Sequence, residues 1–95
     1  MTKIKLSTLV SWGKIKDYEA KKLEKLGFTN VEYENRMSDI TNIDKTCKYK
    51  FTSDTSRNGY TRFWLVLLEP YEEIMLNYSL WQCIKRYENE INRKV

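Results

Sequence analysis

"SRNGYTRFWLVLLEP", residues Ser56 to Pro70, is the stretch on which the fold turns. Asn58-Gly59 is the strongest short hairpin signal, because both residue types tolerate the positive φ of a tight turn. Alternating segments flank it. A turn with two central residues sets Arg57 opposite Tyr60, Ser53 opposite Trp64, Phe51 opposite Val66, Tyr49 opposite Leu68 and Lys48 opposite Glu69. That register predicts one face of Cys47, Tyr49, Phe51, Trp64, Val66 and Leu68, and another of Lys48, Lys50, Thr52, Phe63, Leu65 and Leu67. Large apolar groups then meet, and Lys48 meets Glu69. Phe63 to Leu68 is apolar on both faces, as a central strand should be.

Downstream, Pro70 ends the strand and is suited to open a helix, with Glu72 and Glu73 complementing its N-terminus. The spacing predicts one helix to about Asn92 with two stripes. Leu76, Leu80, Cys83, Ile84, Tyr87 and Ile91 form the core face. Tyr71, Ile74, Tyr78 and Trp81, with Lys85 in line, lie nearly opposite.

Upstream, residues 3–12 alternate and predict a half-buried strand, although Leu9 breaks the pattern. A short helix over 7–12 ending at Gly13 is the competing reading. Residues 17–26 predict a helix, with Asp17 as cap, Gly27 as the left-handed residue after it, and Phe28 folding back on Leu23. Residues 29–34 alternate as a strand. Residues 35–46 have no period and several turn formers, and read as the main loop.

The expected architecture is α+β. It is a single two-layer domain over residues 1–95, in βαβββα order. The sheet is mostly antiparallel, both helices lie on one face, and the C-terminal helix is long. Ninety-five residues leave no room for two cores, and 41% apolar with 14% aromatic content suffices for one. With one Ala and three Gly, the aromatics must carry much of the packing.

The net charge of +4 is unevenly spread. Residues 1–26 are net +4, 27–46 net −2, 47–62 net +3 and 63–95 net −1. This balance permits nucleic acid or an acidic partner and demands neither. Two cysteines, Cys47 and Cys83, without a C-x-x-C, read as buried thiols of a reducing compartment. No signal-like segment follows Lys3 and Lys5, and the longest apolar run, Phe63 to Leu68, is far too short for a membrane span. A cytoplasmic protein is expected. Frequent Lys, Asn and Ile with scarce Ala, Gly and Pro match an AT-rich coding sequence of the kind found in low-GC bacteria and their phages.

The chain has no His, so Ser-His and Cys-His chemistry is absent, along with the commonest general base. Glu72 and Glu73 are adjacent on the expected helix and diverge, Asp39 and Asp44 follow no pattern, and three isolated Gly build no phosphate loop. No enzyme activity, cofactor or metal is expected. Arg57, Gly59, Tyr60 and Phe63 faintly resemble the RNA-recognition ribonucleoprotein signature, with different spacing. The order over 17–92 is similar to that of the double-stranded-RNA-binding domain. Pro70, Tyr71, Glu72 and Glu73 stand where that family carries phosphate-reading lysines.

Two surfaces remain. In the first, Phe63, Leu65 and Leu67 face outward, flanked by Lys48 and Lys50. In the second, Tyr71, Ile74, Tyr78 and Trp81 form an aromatic stripe suited to interface anchors. These seven residues are the expected protein-binding set. The expected function is a small non-enzymatic protein-binding inhibitor or adaptor, of the kind phages encode against host defence, such as an anti-CRISPR protein. The alternative is nucleic-acid binding by a basic aromatic hairpin with Lys3, Lys5, Lys48, Lys50, Arg57, Tyr60 and Arg62. A homodimer seam is a third use of the same surfaces.

Overall fold

The computed structural model describes residues 2–93. Along the chain these form β1 (Thr2–Ile4), α1 (Leu6–Ser11), α2 (Asp17–Lys25), β2 (Asn30–Glu34), β3 (Met37–Thr41), β4 (Tyr49–Thr55), β5 (Thr61–Leu68), β6 (Tyr71–Tyr78) and α3 (Leu80–Arg93). The six strands make one antiparallel sheet in the order β1-β2-β3-β4-β5-β6, each paired with its neighbour in sequence. The α+β class, the antiparallel sheet and the C-terminal helix packed on it are as expected. The βαβββα order gains a helix and two strands.

The hairpin of β4 and β5 forms, but it turns on three residues rather than two. The Ser56 N–H donates to the Tyr60 carbonyl at 2.8 Å, the Gly59 N–H donates to the Ser56 carbonyl at 2.9 Å, and Gly59 has φ 85°. A three-residue loop with glycine in the left-handed region is the next commonest hairpin solution. The added residue slips the register by one. Tyr49 pairs with Leu67, Phe51 with Leu65, Ser53 with Phe63, and Thr52 with Trp64. A one-residue slip sends every side chain of a strand to the other face. Phe63 and Leu65 are therefore buried under the helices and Leu67 packs against the same core, instead of facing outward. Trp64 and Val66 take the outer face. The contact between Lys48 and Glu69 survives, as an ion pair of 2.7 Å.

The expected loop over 35–46 contains β3. Asn35 and Arg36 both have positive φ, 50° and 67°, and make a two-residue turn between the paired Glu34 and Met37. Ile40 is buried between Val31 and Phe51, and the hydroxyls of Ser38 and Ser53 meet in the interior. Beyond β3, the Asn42 amide donates to the Leu26 carbonyl at 2.7 Å, tying the sheet to the end of α2.

The expected helix from Pro70 is instead a strand and a shorter helix. The chain reverses at Glu69-Pro70, whose peptide is cis, and Leu68 pairs with Tyr71. An apolar strand such as β5 needs backbone partners on both edges, and β6 supplies the second. The helix starts at Leu80, after Ser79, ten residues later than Pro70 would place it. There the Gln82 N–H donates to Ser79 Oγ at 3.3 Å and the Ser79 N–H donates to Gln82 Oε1 at 3.1 Å, a reciprocal capping box.

At the N-terminus the competing helix reading holds for most of the expected strand. Only Thr2–Ile4 is strand, and Leu6 and Leu9, three apart, are buried by α1. Both early helices close in the same way. The Gly13 N–H reaches the Val10 carbonyl and that of Lys14 reaches Leu9; the Gly27 N–H reaches Glu24 and that of Phe28 reaches Leu23. Phe28 packs back on the core as expected. Asp17 is not the cap: it pairs with Lys21 at 3.1 Å, while Glu19 Oε1 accepts the Lys16 N–H at 2.7 Å.

One core cluster unites the inward strand residues with Leu6, Leu9, Ala20 and Leu23 of the early helices and Leu80, Cys83, Ile84 and Tyr87 of α3. The helices therefore share one face of the sheet. At the centre Phe28 meets Phe51 and Tyr87, each at 5.0 Å between centroids and edge to face. Among the described residues no helix is long and apolar enough to cross a membrane.

Candidate interaction surface on the outer sheet face

The register builds the uncovered face in rows. Lys3, Glu32, Asp39, Thr52 and Trp64 follow one another across β1 to β5. Asn30, Thr41, Lys50, Val66 and Glu73 form the next row, across β2 to β6. Val66 is only 2% exposed, yet it stands apart from the core cluster, because it lies on the opposite side of the sheet. Trp64, Tyr71 and Lys50 surround it in a groove of about 460 Å³, whose walls also include Met37, Asp39, Asp54 and Glu73. Met37, Leu68 and Tyr71 are exposed beside it.

The groove opens toward β6, the edge strand. Tyr71 is 66%, Leu76 49% and Tyr78 46% exposed. The ladder between β5 and β6 is irregular near Phe63 to Val66, and Asn77 has φ 66°. Bulges and special backbone of this kind hinder pairing with a further strand along that part of the edge and leave the regular part, Tyr71 to Glu73, open to it. Ile74 turns inward onto the core, so the expected stripe of Tyr71, Ile74, Tyr78 and Trp81 does not exist as one surface. Trp81 belongs to α3. Its ring packs edge-on against Tyr18 of α2 at 5.0 Å, with Lys85 Nζ at 4.8 Å from its centroid.

The expected basic set is dispersed. Lys48 pairs with Glu69 at 2.7 Å and Lys50 with Asp39 at 3.7 Å. Arg62 stands opposite Asp54 and Lys3 opposite Glu32. Arg57 and Tyr60 sit at the hairpin tip, at the end of β4 away from Lys48, and Lys5 precedes α1. On the outer face Lys3, Lys50 and Arg62 are interleaved with Glu32, Glu34, Asp39, Asp54 and Glu73, so carboxylates outnumber cations there.

A second cavity of about 400 Å³ lies on the helix side of the sheet near the turn from β5 to β6, lined among others by Cys47, Tyr49, Leu67, Tyr87 and Ile91. Cys47 Sγ is 3.9 Å from Tyr87 Oη. Burial drives the Tyr87 hydroxyl pKa up, and the Cys47 thiol beside it adds to the shift. Both cysteines are free thiols, and burial pushes Cys83 up to about 12. Among the described residues no group of three His, Cys, Asp or Glu side chains is arranged to hold a metal ion.

The sequence reading missed Trp64, Val66 and Met37 as surface residues because each depends on the turn or on β3. Two local signals were present. "ENRM", residues 34–37, offers Asn at a hairpin turn, and "SLWQ", residues 79–82, is a capping box ahead of the apolar helix stripe. Compared with known proteins, the chain matches no family model, no curated protein and no solved structure.

Proposed function

We propose that this protein is a non-enzymatic binding module that docks another protein along β6 and the adjoining outer sheet face. The observation that supports this most is β6 itself. It is an edge strand of eight residues whose Tyr71 and Glu73 line the apolar groove of Trp64 and Val66, with Leu76 and Tyr78 exposed further along the same strand. Strand addition to a sheet edge draws affinity from backbone hydrogen bonds and specificity from alternate side chains. Aromatic anchors beside that edge are the residue types that dominate interface energies. Such a mode suits an inhibitor or adaptor, including the anti-defence role expected from the sequence.

The test is affinity capture from the source cells with wild-type protein and with Tyr71→Ala and Leu76→Lys, run beside nucleic-acid binding at about 50 and 200 mM salt, where phosphate-dominated binding collapses. The expected result is one protein retained at both salts by wild type and weakened about 30-fold or more by either variant, as for a central anchor. Retention of nucleic acid that vanishes at the higher salt and depends on Arg57 and Arg62 would establish the hairpin reading instead.

A further inference from the structure

We infer that the occupant of the outer groove is an extended basic segment of the partner, a strand carrying lysine or arginine at alternate positions laid along β6. The inference rests on the reading of β6 as a docking edge and specifies what docks there.

Charge is the first argument. The chain as a whole is net +4, yet the groove walls carry Asp39, Asp54 and Glu73 against Lys50 alone. Lys50 already leans on Asp39 at 3.7 Å, while the carboxylates of Asp54 and Glu73 make no hydrogen bond or ion pair among the described residues. Glu72, paired with Leu67, points to the other face of the sheet and takes no part in the groove. An acidic groove on a basic protein selects against acidic partners and against phosphate backbones.

Ring chemistry is the second argument, and it is independent of charge count. Trp64 and Tyr71 line the same groove, with Met37 at its far side and Val66 as the floor. Aromatic faces attract ammonium and guanidinium groups, and the aliphatic stem of a lysine or arginine covers apolar floor while its head reaches a carboxylate. Geometry is the third. Successive side chains of an added strand alternate, so every second one falls on the outer face beside Tyr71 and Glu73. A basic segment with alternate neutral residues meets both requirements.

The experiment uses the full chain, isotope-labelled, titrated with three capped peptides as long as β6. Threonine alternates in them with lysine, with glutamine or with glutamate. Amide signals of β6 and the indole N–H of Trp64 are followed. The lysine peptide is expected to shift both sets, and Asp54→Asn combined with Glu73→Gln is expected to weaken it about tenfold, the scale of losing two complementary charges at a partly desolvated site. The same pair of substitutions should leave the thermal midpoint within a few degrees, since both side chains are exposed. If all three peptides shift the β6 amides equally, docking at the edge stands and the basic partner is overturned. If none shifts them, the reading of β6 falls as well. If the lysine peptide shifts only residues remote from β6 and Trp64, the groove is not the site.

Discussion

Cys83 and Cys47 differ as two thiols in one small protein can. Cys83 lies within the core against α3's neighbours, and burial holds its thiol protonated, up to about 12. Cys47 is half-buried at the edge of a cavity. Thiolate is the reactive form, so exposure and pKa together set reactivity. In a native-state labelling experiment with an aromatic disulfide reagent at mild alkaline pH, one thiol per chain should react, and Cys47→Ser should abolish it. Cys83 should label only when denaturant is added. Simultaneous labelling of both in native buffer would contradict the packing described here. Gly27 shows the same dependence on surroundings. Its φ of 85° suits glycine, and a β-carbon there would stand 3.1 Å from the Asn42 amide oxygen. The local rule for ending a helix and the tertiary contact to β3 therefore select the same residue type.

At the scale of elements, the hairpin carries the sharpest lesson. "RNG" was legible as a turn, and the strands it joins were legible from alternation. What alternation cannot state is whether two or three residues sit in the loop, and that difference of one decides which half of "FWLVLL" is core. The register has a direct test. Leu65→Ala should cost about 2–5 kcal/mol in chemical denaturation, as deletion of a buried leucine side chain does. Trp64→Ala should cost less in folding while removing much of the groove wall, because Trp64 is only partly buried. A two-residue turn would reverse that order. The strand β6 was read as helix because Tyr71, Ile74, Tyr78 and Trp81 keep helical spacing by coincidence. Both edges of β5 need hydrogen-bond partners, and that demand from outside the segment overrides the local pattern.

For the whole molecule, the absence of His leaves alkaline pH as an informative axis of stability. The Cys83 thiol titrates near 9.0 ordinarily and near 12 when folded, with burial as the largest cause. Its folded value is raised, so its contribution to stability is full below 9.0 and is lost as pH climbs through about 12. Tyr87, raised by burial as well, acts in the same direction. Urea midpoints measured from neutral pH upward should therefore hold level and then fall above 9.0. Cys83→Ala should lower the plateau through the cavity it leaves and reduce the alkaline slope. A midpoint that rises through that range would contradict the burial of both groups.

The sequence by itself determined the class of fold, the helix over residues 17–26 with its glycine stop, the existence of the central hairpin and the core stripe of Leu80, Cys83, Ile84 and Tyr87. These rest on local preferences and on periodicities that run within one element. Only the tertiary structure decided that β3 and β6 are strands, that the last helix starts after Ser79, and that Trp64 and Val66 face outward while Phe63, Leu65 and Leu67 face the helices. The physical reason is common to all of them. Strand identity, pairing register and which face is covered are set by hydrogen bonds and packing between segments distant in the chain, and no single segment carries that information.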